Sequence, residues 1–118
     1  MDSPDETVTL ISAGKVQGTP VISPEGETVG EIYDVMLEKK SGTIAYAVMS
    51  FGGVLGLGTK YHPLPWHALT YVPGAGGYVV GIPKEALQSG PTLAELERWD
   101  KGLVDTINGY YQTWLSTV

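Results

Sequence analysis

Ser41-Gly42-Thr43-Ile44-Ala45-Tyr46-Ala47-Val48-Met49-Ser50-Phe51 is the stretch that decides how this chain folds. In an extended strand successive side chains point to opposite faces. Ile44, Tyr46 and Val48 then share one side, and Ala45, Ala47, Met49 and Phe51 share the other. Both sides are apolar, so both have to be covered. One can fill a small barrel. The other needs a helix or a second subunit laid over it.

Upstream, Lys39-Lys40-Ser41-Gly42 leads into this strand, and Ser23-Pro24-Glu25-Gly26 repeats the same turn grammar earlier. Pro presets φ at the second turn position, while Gly26 and Gly42 accept a positive φ at the close. Strands over 18–23, 28–38 and 43–51 joined by two hairpins form an antiparallel meander. The strand over 28–38 carries a register conflict: Val29 and Ile32 cannot share a face at period two, whereas Val35 and Leu37 can. A β-bulge near Tyr33-Asp34 reconciles the pattern and bends the strand, as a closing barrel requires. Asp34 is then read as the bulge's acceptor of backbone N–H groups. Glu31 and Asp34 are an odd number of positions apart, which places them on opposite faces unless the bulge intervenes, so a catalytic carboxylate pair is disfavoured.

Downstream lies Phe51-Gly52-Gly53-Val54-Leu55-Gly56-Leu57-Gly58-Thr59-Lys60, glycine-rich and apolar. It is not a phosphate loop: Thr59-Lys60 has the order reversed, and Tyr61-His62-Pro63-Leu64-Pro65 cannot supply the helix that must follow. Short strands are expected at 61–64, 69–72 and 78–82, with Pro63 and Pro65 forcing the first of these to an edge position or to its end. A helical turn follows at Pro83-Lys84-Glu85-Ala86-Leu87. Thr92-Leu93-Ala94-Glu95 reads as a capping box. Leu103, Ile107, Tyr110, Tyr111, Trp114 and Leu115 then recur at helical spacing. Gly102 and Gly109 weaken that helix, so it has to pack on something.

A chain of 118 residues fits one domain. Residues 1–10 read as a disordered leader, 11–90 as the barrel and 91–118 as a helical extension. No cysteine is present, which removes disulfides and thiolate chemistry and suits a reducing cytoplasm. The acidic start is the reverse of a signal peptide, and no apolar run reaches the ~20 residues of a transmembrane segment. The net charge is −6, with both ends acidic and five lysines facing six acids over residues 11–90. Such a balance offers no basic face, so no nucleic-acid partner is expected.

Taken in order, Gly18-Thr19-Pro20-Val21, Gly26-Glu27-Thr28-Val29-Gly30-Glu31-Ile32-Tyr33-Asp34-Val35, Ser41 to Val48, Phe51-Gly52-Gly53 and Pro65-Trp66-His67-Ala68-Leu69 resemble the PRC-barrel domain family over residues 11–88. The likeness is to its stand-alone bacterial branch. The resemblance implies a small, strongly bent antiparallel β-barrel that often self-associates, with Trp66 a structural residue and no catalytic motif to carry across.

No catalytic, cofactor or metal residues are therefore expected. His62 and His67 are the two histidines, placed on opposite faces of an extended segment with no Cys to join them. The expected function is a non-catalytic homodimeric adaptor that docks on a larger assembly through an unknown protein partner. The apolar residues expected at the interface are Met49, Phe51, Val54, Leu55 and Leu57, joined by the aromatic tail residues Tyr110, Tyr111 and Trp114. Two other roles follow from the resemblance alone. One is a ligand-binding or redox-accessory domain beside electron-transfer machinery, as in the reaction-centre H subunit. The other is a ribosome-maturation accessory factor.

Overall fold

The computed structural model describes residues 6, 7, 9–52, 58–93 and 98–115. Six strands form one sheet: β1 (Pro20–Ile22), β2 (Thr28–Leu37), β3 (Ile44–Phe51), β4 (Lys60–Pro65), β5 (Leu69–Val72) and β6 (Gly77–Val80). Their order across the sheet is β4-β3-β2-β1-β6-β5. The sheet curls into a half-barrel. Its two end strands, β4 and β5, are not paired but joined by a single 3-10 turn, Trp66–Ala68. Among the described residues three α-helices complete the fold: α1 (Ala13–Val16), α2 (Lys84–Gln88) and α3 (Lys101–Leu115).

Both hairpins form where the turn chemistry places them. Gly26 adopts φ 89° and donates its N–H to the Ser23 carbonyl at 2.9 Å. Gly42 adopts φ 77° and donates to the Glu38 carbonyl at 2.8 Å. The bulge also forms, since the β2–β3 register slips between Ile32 and Asp34 and leaves Tyr33 as the extra residue. Asp34 Oδ1 accepts the Val35 N–H at 2.8 Å, which stabilises the kink.

The meander is only part of the sheet. β1 pairs with β6 in parallel, through Val21↔Tyr78 and Ile22↔Val79, where consecutive hairpins would make every pair antiparallel. Curling brings the two strands together across more than fifty positions of sequence, so no local turn signal announces the contact. Gly77 permits the approach, because a Cβ there would collide with the Pro20 backbone.

The barrel interior is filled by Val21, Val29, Ile32, Ala47, Met49, Leu64, Val80 and Ile82, all nearly or fully buried. Leu103, Ile107 and Tyr111 of α3 belong to the same core cluster. The tail is therefore no appendage: α3 packs beside β4 and adds these three side chains to the core. Its helix begins later than the capping-box reading suggests. Asp100 caps it, with Oδ1 accepting the Leu103 N–H at 3.0 Å. Thr92 and Leu93 belong to no helix or strand, and Ala94 and Glu95 of the expected capping box lie outside the described residues.

The leader is anchored at its end rather than loose there. Glu6 pairs with Lys15 at 2.8 Å and accepts from the Tyr71 hydroxyl at 3.3 Å. Helix α1 had no reading in the sequence. Its signal is Ser12, whose Oγ accepts the Lys15 N–H.

Candidate functional site

β3 is apolar on both faces, and the structure covers both. Ala47 and Met49 point into the barrel. Tyr46 and Val48 face outward, alongside Asp34 and Met36 of β2 and Tyr61 and Pro63 of β4, as the cross-strand registers place them. Two residues of the chain's own tail lie against this outer face. Leu93 donates its N–H to the Tyr61 carbonyl at 2.8 Å, and the Trp99 ring lies 5.4 Å from Tyr46. Val48 is only 4% exposed as a result. The covering layer that the strand demands comes from the same chain, so this face does not require a second subunit.

The cover leaves an open cleft of about 530 Å³. It is lined by Tyr33, Asp34 and Met36 of β2, Val48 of β3 and Tyr61 of β4, together with Leu93 and Trp99 of the tail. The Tyr33 and Tyr61 rings stand 4.6 Å apart, tilted by 51°. Tyr33 owes its place to the bulge and is 56% exposed. Asp34 is exposed, and among the described residues no ion pair involves it.

Of the expected interface residues, Met49 and Tyr111 are fully buried in the core. This corrects their expected role, since neither can reach a partner without the core opening. Tyr111 also holds a buried hydroxyl with no hydrogen-bond partner among the described residues. Phe51 is half-buried, its ring 5.8 Å from His62. Tyr110 and Trp114 are half-buried, and the Tyr110 hydroxyl donates to the Ala86 carbonyl at 2.7 Å. Val54, Leu55 and Leu57 lie outside the described residues. Trp66 packs on Tyr78 at 5.2 Å.

The two histidines part company. His67 is exposed, whereas His62 is buried and bonded through Nδ1 to the Pro91 carbonyl. Among the described residues no group of three or more His, Asp or Glu could hold a metal ion. No described helix is long and apolar enough to cross a membrane. The sequence reading did not find Tyr33, Tyr61, Met36 and Trp99 as a group. The bulge at Tyr33 was its one available signal, because an extra residue is turned out of the ladder.

A curled half-barrel that shares its core with its own helix, with an aromatic cleft outside the sheet, defines a small β-barrel domain. The PRC-barrel domain model matches residues 9–87, and the chain belongs to that family. No curated protein matches the chain.

Proposed function

We propose that this PRC-barrel domain performs no chemistry and acts in the cytoplasm as a homodimeric adaptor that docks on a larger assembly. The observation that carries the reading is the outer-face cleft, where Tyr33, Tyr61 and Trp99 gather with apolar side chains. Tyrosine and tryptophan dominate interface anchors because they offer large rigid area with a polar tip. Dimerisation draws support from the other end of the sheet. There β5 is the terminal strand, and Tyr71 and Leu10 are 41% and 71% exposed beside it. An edge strand with apolar neighbours is a natural pairing surface.

Light scattering on the eluting protein at micromolar concentration should return twice the chain mass. A monomer there rejects the dimer. Capture from native lysate should yield a partner that Tyr33→Ser protein fails to retain while melting at the same temperature. Equal retention by both proteins would remove the cleft from the docking role.

A further inference from the structure

We infer that the outer-face cleft receives an arginine side chain from a basic segment of the partner protein. The inference rests on the adaptor reading and gives its cleft a ligand chemistry. Three features of the cleft, taken together, select that occupant.

The first is the carboxylate. Asp34 is exposed at the cleft, and its Oδ1 accepts one backbone N–H. The described residues offer it no cation. A carboxylate has about four lone-pair sites, so one backbone bond leaves room for a two-pronged guanidinium.

The second is the aromatic pair. The Tyr33 and Tyr61 rings are packed at 4.6 Å, too close for a cation between them, but Tyr33 is 56% exposed and can offer a ring face. A guanidinium stacks on such a face, and cation–π attraction adds to the ion pair. A lysine ammonium is a compact, strongly hydrated point charge and has no plane to stack.

The third is the lining beyond the charge. Met36, Val48 and Leu93 are apolar and suit the methylene stem that an arginine buries behind its charged head. The chain's net charge of −6 favours approach by a basic segment. Two cations of the chain sit next to cleft residues in sequence, Lys60 beside Tyr61 and Arg98 beside Trp99. Arg98 is also the chain's one arginine, which makes a second copy the competing occupant.

The test is a titration of the intact protein with a fluorescent acetyl-Gly-Arg-Gly-Arg-Gly peptide, read by anisotropy. Asp34→Asn keeps the side-chain oxygen that accepts from Val35, so the bulge survives while the charge is lost. It should weaken binding about five- to tenfold, as should Tyr33→Ala and a citrulline version of the peptide. Glu25→Gln removes one charge in the first hairpin turn, remote in the sheet, and should leave binding unchanged. Citrulline binding as tightly as arginine would overturn the inference. So would an equal loss in Glu25→Gln, which would reduce the effect to net charge, or the absence of any peptide binding. If Arg98→Ala abolishes self-association and only that variant binds peptide, the occupant is a second copy, and a foreign arginine is again excluded. A monomer that still binds peptide through Asp34 would reject the dimer and keep the inference.

Discussion

The imidazole Nδ1 of His62 stands 3.1 Å from the carbonyl oxygen of Pro91. A carbonyl only accepts, so Nδ1 carries the proton and donates it. With the Leu93 N–H to Tyr61 carbonyl bond, this contact pins the first residues of the tail to β4.

Burial lowers the His62 pKa below its ordinary 6.5, with Lys60 adding to the fall, while hydrogen bonds to the Pro91 and Gly90 backbone oppose it. The unfolded chain therefore binds this proton at a higher pH than the folded one. The contribution is complete above the unfolded value and is lost as pH drops from there towards the folded value. Melts between about pH 7.5 and pH 5 should show Tm falling with pH, and His62→Gln should flatten that part of the curve. A wild-type Tm that does not move across this window would contradict the assignment.

Tyr111 buries a hydroxyl without a hydrogen-bond partner among the described residues, and burial pushes its pKa well above the usual tyrosine range, with Tyr110 adding to the shift. Removing the hydroxyl costs no hydrogen bond, so Tyr111→Phe should be neutral or gain up to about 1 kcal/mol. Tyr111→Ala should lose about 3–5 kcal/mol, because the ring fills the core beneath α3. Urea denaturation separates the two.

Close backbone packing makes two glycines irreplaceable. A Cβ at Gly30 would strike the Ser50 carbonyl oxygen, and one at Gly77 the Pro20 carbonyl oxygen. Backbone cannot swing aside as a side chain can, so alanine at either site should cost about 1–3 kcal/mol. At Gly81 a Cβ meets nothing within 4 Å, and alanine there should be neutral or stabilising by up to about 1 kcal/mol. Equal losses at all three positions would reject the packing argument.

Asp100 caps α3 through the Leu103 N–H. Asp100→Ala should cost about 1 kcal/mol, whereas Asp100→Asn, which keeps the acceptor, should cost a few tenths at most. Chemical denaturation of both variants measures the difference.

A chain ended at Gly90 lacks Leu103, Ile107 and Tyr111, which share one core with Ile82 and Leu87. It should lose cooperative unfolding and aggregate, since the apolar side chains that α3 packs against would be exposed. A sharp thermal transition in that truncated chain would make α3 a mere addition.

Much of the fold was legible because the signals are local. Gly26 and Gly42 mark their turns through a φ that other residues resist, and the mixed spacing around Tyr33 and Asp34 marks a bulge between two strands already in register. The cleft was not legible in that way. Tyr33 and Tyr61 meet because β2 and β4 flank β3, and Trp99 joins them from a part of the chain distant in sequence. None of these contacts has a fixed spacing in the chain.

The alternation of side chains in residues 44–51 required, by itself, that β3 be enclosed on both sides, because apolar surface leaves water whatever covers it. Which body does the covering was a tertiary matter. Leu93 and Trp99 of the same chain take the outer face, and the parallel contact of β1 with β6 curls the sheet around the inner one. The hydrophobic effect is non-directional: it demands burial, while chain connectivity and backbone hydrogen bonding select the partner.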